Sequence, residues 1–296
     1  MDASESWQRW VRARAAAARF GARDRLGTAH LIDAAAKRRA AARVQSGRTL
    51  SLARPLTPHA SARGDGRPGF AVEPYYVDGP IGLGGDHLEL DCHGIGNTHL
   101  DGLNHIALDR TWYSGWAVDD PEGPCVADLT GVGLVTRGVL VDVPRLRGTP
   151  WVDAEHPVGG DEIDRALAAT GTRFEPGDAL ILHMGRDRWE AAGNRYSDLR
   201  GPVRVPGAGR SAGEWIADHD VSILCWDFLD SNHPSEPLAP IHLLIWGIGL
   251  LLVDNCALSA VAEALDAAGR ATGALVVAAL AVPGGTGCTV NPLLLL

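Results

Sequence analysis

This sequence is short of the features that mark several common protein classes. Apolar runs such as Leu250–Val253 are far too short to span a bilayer, and none approaches the roughly 20 residues a membrane helix needs. Where a secretory leader would carry an apolar stretch, the first residues include Asp2, Glu5, Arg9 and Arg12, so a cytoplasmic location is expected. Basic residues are outnumbered: 27 Lys and Arg against 36 Asp and Glu give a net charge of -9, which excludes a broad basic surface for nucleic acid. The five cysteines, Cys92, Cys125, Cys225, Cys256 and Cys288, are scattered and odd in number. They form no Cys-x-x-Cys pair, which argues against a disulfide framework or a structural zinc knot. Cys92 beside the histidine-rich segment invites a nucleophile reading, but nothing near it in sequence would activate a thiol. Internal repeats and low-complexity linkers are also missing.

What is there is ordinary globular material: 296 residues, 46% hydrophobic and 21% charged, enough to bury a sizeable core. Residues 1–47 read as an N-terminal helical segment. Trp7 and Trp10 share a helical face that would dock on the body or on a second subunit, and Asp33 caps a helix over Ala34–Val44 that Gly47 ends. Residues 48–296 read as a single catalytic domain of α/β class. Thr49–Leu52 begins a strand, and the Gly-, Pro- and Arg-rich stretch 56–86 reads as a long surface excursion. A strand pair is expected over Val132–Val143 around Arg137-Gly138, and a helix over Asp161–Thr170 with Asp161 as cap. Buried strands are expected at Ala179–His183, Val221–Cys225 and Leu250–Val253, and the apolar tail Pro292–Leu296 should tuck against the core or a neighbouring subunit.

The chemistry concentrates in Asp91–His105. On a strand His99 and Asp101 lie two apart and project to one side, and imidazole with carboxylate is a common ligand pair for a divalent transition metal. Gly102 and Asn104 permit a turn that would bring His105 to the same pocket as a general acid/base. A solvated strand face would show the same spacing, so spacing alone does not separate the two readings. Downstream, His242 opens an apolar helix-like run and Asp254 closes a buried strand, a frequent place for a ligand, although Asp254 could equally cap the helix starting near Ala257. Trp112, Tyr113 and Trp116 could wall an apolar substrate pocket or simply pack the core. His183 and Arg186 end a buried strand, where a structural role is the stronger reading; His87, His156, His219 and His233 sit among polar residues and read as solvated.

Thr98-His99-Leu100-Asp101 followed by His105 resembles the metal-site signature of the cyclase family that includes bacterial kynurenine formamidase and isatin hydrolase. Asp227, His242 and Asp254 look like its downstream half. So do Gly47–Leu52, Arg137–Leu140, Pro176–Asp178 and Gly284–Gly287, so the similarity runs from about residue 20 to Leu296. The resemblance implies a swivelling β/β/α fold, a homodimer or homotetramer, and metal-assisted hydrolysis of an amide, lactam or lactone in a small molecule. His99, Asp101, His242 and Asp254 would match the ligands of zinc or manganese, and His105 the general acid/base.

Two positions depart from the pattern. Ile95 stands where the formamidases carry a further histidine, and Asp254 where they carry Glu. The nearest substitute, His93, would sit about 20 Å from His99 along a regular strand, so that only a bulge at Gly94 or Gly96 would bring it to the pocket. With these departures the resemblance implies one divalent metal, or none. A rival reading keeps the pocket without the metal. His99 and His105 would then act as acid and base and Asp101 would orient an imidazole, in a ring closure, dehydration or conjugate addition of secondary metabolism. A third reading, a binding protein on the same fold, is disfavoured by the presence of His99, Asp101 and His105.

Overall fold

The computed structural model describes residues 3–61, 67–195 and 203–296. In chain order it has strands β1 (Thr49–Ser51), β2 (His59–Ala60), β3 (Pro68–Val77), β4 (Leu83–Leu90), β5 (His99–Asp101), β6 (Leu134–Asp142), β7 (Ala179–His183), β8 (Ile223–Trp226), β9 (Leu251–Asp254), β10 (Thr272–Val277), β11 (Gly287–Thr289) and β12 (Leu293–Leu295). The helices are α1 (Ala3–Ala16), α2 (Ala34–Ala41), α3 (Val143–Arg147), α4 (Gly160–Thr170), α5 (Arg186–Ala191), α6 (Arg210–Asp218), α7 (Leu243–Ile248) and α8 (Ser259–Ala267).

Nine strands form one mixed sheet in the order β1-β12-β10-β6-β7-β8-β9-β5-β11, and β2-β3-β4 form a small second sheet. The middle four, β6 to β9, run parallel; the flanking strands are antiparallel. Every residue of β7, β8 and β9 is buried, so these strands read as apolar runs without alternation, as parallel strands covered on both faces must. Their carboxyl ends, at His183, Trp226 and Asp254, open on one edge of the sheet, the usual place for a ligand in parallel α/β folds. The mixed α/β class read from the sequence holds.

Several local expectations do not. Within Val132–Val143 there is one nine-residue strand, Leu134–Asp142, which passes straight into α3, not a pair. Gly138 marks tight packing there, since a Cβ would lie 2.9 Å from Ile181 Cδ1 and 3.0 Å from Leu294 Cδ1. Helix α2 stops at Ala41, six residues before Gly47, because the backbone N–H groups of Ser46 and Gly47 donate to the Leu296 carbonyl and pull the chain off the helix axis. Its start is as read: the Asp33 carboxylate accepts from Ala36 N–H. In α4 the cap position is Gly159, whose N–H donates to Glu162, while Asp161 reaches Arg165.

The excursion at 56–86 is largely a β-hairpin. Residues 62–66 of it lie outside the described residues, but β3 and β4 pair in register from Phe70↔Leu90 to Val77↔Leu83. Its glycines and Pro74 masked an alternation in which Phe70, Val72, Pro74 and Tyr76 share one face. Pro74 is tolerated because β2 pairs with β3 only at Pro68 and Phe70, which leaves the outer edge beside Pro74 unpaired. The tail enters the main sheet as β12, between β1 and β10. Helix α1 docks on α7 of its own chain through the fully buried Trp7 and Val11, with Trp10 stacked 4.6 Å from Trp7. Among the described residues no helix is long and apolar enough to cross a membrane.

Candidate metal-binding active site

Register builds the heart of the site. Antiparallel pairing sets His99 opposite Asp254 across β5 and β9, and Asp101 opposite Gly287 across β5 and β11. His99 and Asp101 share a face, and Leu100 between them is buried on the other side. The chain then turns, with His105 N–H donating to the Gly102 carbonyl, which returns the His105 ring to within 4.0 Å of Asp101 Oδ2. His242, at the start of α7, brings Nε2 to 3.0 Å from Asp254 Oδ2 and 3.9 Å from Asp101 Oδ2. Segments about 140 positions apart thus line one cluster, and Asp254 faces His242 instead of capping α8, which begins at Ser259.

His93 joins this cluster by a route unlike the one its strand parity suggests. Residues 91–97 are not a bulged strand but two successive turns, closed by Gly94 N–H to the Asp91 carbonyl and Asn97 N–H to the Gly94 carbonyl. They fold the chain back so that the His93 and His99 rings stand edge to face at 4.9 Å, where a straight strand would hold them far apart. His93 also stacks on His105 at 4.0 Å, with Nδ1 3.1 Å from Asp101 Oδ1.

Asp101 is therefore ringed by four imidazoles. It is 1% exposed, and neither carboxylate oxygen accepts a hydrogen bond. Burial alone would raise its carboxyl pKa, but the His105, His93 and His99 rings hold it below the ordinary carboxylate value. His99 Nδ1 donates to the Asn97 carbonyl, so in the neutral imidazole Nε2 is an acceptor, and it faces Asp101 at 3.5 Å and Asp254 at 3.8 Å. Burial would lower His242, but Asp230 and Asp254 on its two nitrogens raise it well above the usual histidine value. His105 moves the other way: burial brings it down to about 4, so its ring is neutral at neutral pH. Burial also pushes the Cys92 thiol up to about 12, which removes it as a thiolate nucleophile.

Buried acceptors aimed at one another without donors are costly unless a cation lies among them. The donor set of imidazole nitrogens and carboxylates suits a divalent transition metal. Two triads have ligand atoms mutually within 4.8 Å, His99–Asp101–Asp254 and His93–Asp101–His105, so the residues present fit such an ion. The supports behind them were not legible in the sequence. Asp230 holds His242 Nδ1, Trp226 Nε1 donates to Asp254 Oδ1 at 2.5 Å, and Thr286 meets His93 Nε2 at 2.9 Å. Such outer contacts fix ring orientation and tautomer. Asp230 lies 12 residues before His242 in a loop, and no periodicity links the two.

Other candidates fall elsewhere. Tyr113 lines a separate cavity of about 470 Å³ between the segment after α1, the end of α6 and α7, one that contains none of the clustered His and Asp side chains. Trp112 packs over Gly123, and Trp116 donates to the Asp24 carbonyl beneath Arg23. His183 bonds Asp142 and Ser259, the structural role expected of it. His219 is exposed, as read, and its ring stacks on Trp215.

The Cyclase family model matches residues 49–233, more than half the chain. No curated protein matches. Among solved structures, a novel cyclase superposes with a TM-score of 0.79 over 94% of this chain and 96% of its own, at 21% identity. Isatin hydrolase A from Labrenzia aggregata, bound to benzyl benzoate, gives 0.59 over 83% and 92% at 19% identity. An isatin hydrolase bound to the product analogue thioisatinate gives 0.60 over 86% and 94% at 17% identity. At these identities the likeness is one of fold, and the family match over residues 49–233 establishes that this chain belongs to the cyclase family.

Proposed function

We propose that the protein is a metal-dependent hydrolase of a cyclic or acyl amide or a lactone in a small molecule. One divalent cation, zinc or manganese, would be held by His99, Asp101, His242 and Asp254. The observation that carries the reading is Asp101: both oxygens are sealed from water and unbonded, and four imidazoles face them. The isatin hydrolase neighbours, whose substrate is a cyclic amide, support the reaction class.

Bound there, the cation supplies Lewis acidity, polarising the scissile carbonyl and making water nucleophilic near neutral pH. His105 does the proton work. Its neutral ring takes the proton as water adds to the carbonyl carbon, then returns it to the leaving nitrogen or oxygen as the C–N or C–O bond breaks. Asp230 and the Asn97 carbonyl hold the proton-bearing nitrogens of His242 and His99 away from the centre. A cavity of about 350 Å³ at the base of the β3–β4 hairpin, lined by Arg67, Glu89, Cys92, His93 and Thr286, gives a substrate its approach. The chain would work as a homodimer or homotetramer. The hairpin exposes Tyr76 and Ile81 at 80% each, the apolar surface a second copy would cover.

The test is hydrolysis of a panel of isatin-like lactams, N-formyl aryl amides and lactones before and after chelation. Activity should vanish with the metal and return with one equivalent of zinc or manganese. Full activity in the stripped protein would sink the reading and favour metal-free proton transfer by His99 and His105.

A further inference from the structure

His93 has a seat built from several parts of the chain. Its Nε2 meets Thr286 Oγ1 at 2.9 Å. Its ring is held between His105, stacked at 4.0 Å, and His99, edge-on at 4.9 Å. Gly287 clears the space, since a Cβ there would lie 2.7 Å from His93 Cε1. The turn that carries it is tied down from below: Asn255 Nδ2 donates to the Gly94 and Asn97 carbonyls, and Arg186, 2% exposed, donates to the Ile95 carbonyl and to Asn255 Oδ1. Yet Nδ1, the atom this seat aims inward, has no partner. It is buried, lies 3.1 Å from an Asp101 oxygen that is equally unbonded, and the ring is turned so that no hydrogen bond closes between them.

A hydroxyl on one ring nitrogen and an unsatisfied second nitrogen beside a bare carboxylate is the arrangement of a ligating imidazole. We propose that His93 is a ligand of the cation, through Nδ1, with Thr286 accepting the Nε2–H and so fixing the tautomer that leaves Nδ1 its lone pair. His93 then joins the metal-binding residues and is not merely part of the substrate wall. His105, stacked on it, keeps the proton-transfer role. The inference rests on the metal-site reading given above.

The test is calorimetric titration of chelator-stripped protein with Zn²⁺, paired with the visible spectrum of the Co²⁺ form and thermal melts without metal. His93→Ala should weaken Zn²⁺ binding by about 100-fold or more and alter the Co²⁺ spectrum, and Thr286→Val should weaken it by roughly 10- to 100-fold. Both variants should melt like wild type when metal-free. Wild-type affinity and spectrum in His93→Ala would overturn the assignment while leaving the metal site standing. If His93→Ala does not fold, unchanged affinity in Thr286→Val overturns it instead. A wild-type protein that binds neither Zn²⁺ nor Mn²⁺ would instead remove the reading beneath it.

Discussion

At Asp101 two acceptor atoms are closed off from water with no donor on either, and the rest of the site follows from that imbalance. His99, Asp101 and His105 were legible because they lie close in sequence and strand parity puts the first two on one side. His93 was misplaced because parity assumes a straight chain, and turns at Asp91–Gly94 and Gly94–Asn97 replace it. Asp230 carries no local signal, and Thr286 lies in the family-like stretch Gly284–Gly287 without any pattern that ties it to His93; both matter through contacts across the fold. Two expectations belong to this scale. His105→Ala should lower turnover by about 10²- to 10⁴-fold while bound metal stays near wild type, measured by steady-state kinetics beside elemental analysis. A fully active variant would remove His105 from the proton transfer. Asp230→Asn keeps the size of the residue behind His242 but not its charge. It should cost about 10- to 100-fold in Zn²⁺ affinity, and wild-type affinity would show that the contact does not tune the ligand.

Among the elements, the parallel strands were the clearest in the sequence, because burial on both faces leaves unbroken apolar runs. The hairpin and β6 were the least clear: glycines that serve pairing or packing look, in sequence, like glycines that serve turns. The ends of β6 and β7 are clamped by Asp142 on His183 Nδ1 at 2.9 Å. Burial would lower His183, but Asp142 and neighbouring carboxylates raise it; burial would raise Asp142, but His183 lowers it. A raised histidine stabilises fully below its unfolded value and loses that as pH rises through the folded one. A lowered carboxylate stabilises above its unfolded value and loses that as pH falls through the folded one. The clamp should therefore be strongest between about pH 4 and 6.5, the unfolded values of the two groups. The difference in melting temperature between wild type and Asp142→Asn should peak in that window and shrink on both sides; a difference flat with pH would rule the ion pair out as its source. At the other end, Trp7→Ala should loosen α1 from α7 and cost about 3–5 kcal/mol of unfolding free energy in urea, as expected for a fully buried aromatic.

For the whole molecule, the sheet order is what makes a site out of distant segments. Placing β9 between β8 and β5 sets Asp254 against His99, and α7 then brings His242 onto Asp254 and within 3.9 Å of Asp101. Sequence could nominate those residues through family resemblance, but only the fold supplies the distances, since pairing across about 140 positions leaves no trace in local pattern. Binding a cation to the folded chain alone should also raise its melting temperature in proportion to the logarithm of free metal. The most direct test of the central claim is calorimetric titration of chelator-stripped wild type and Asp101→Asn with Zn²⁺. The account predicts one equivalent bound by wild type and a large loss in the variant; equal binding by the two, or none by wild type, would contradict it.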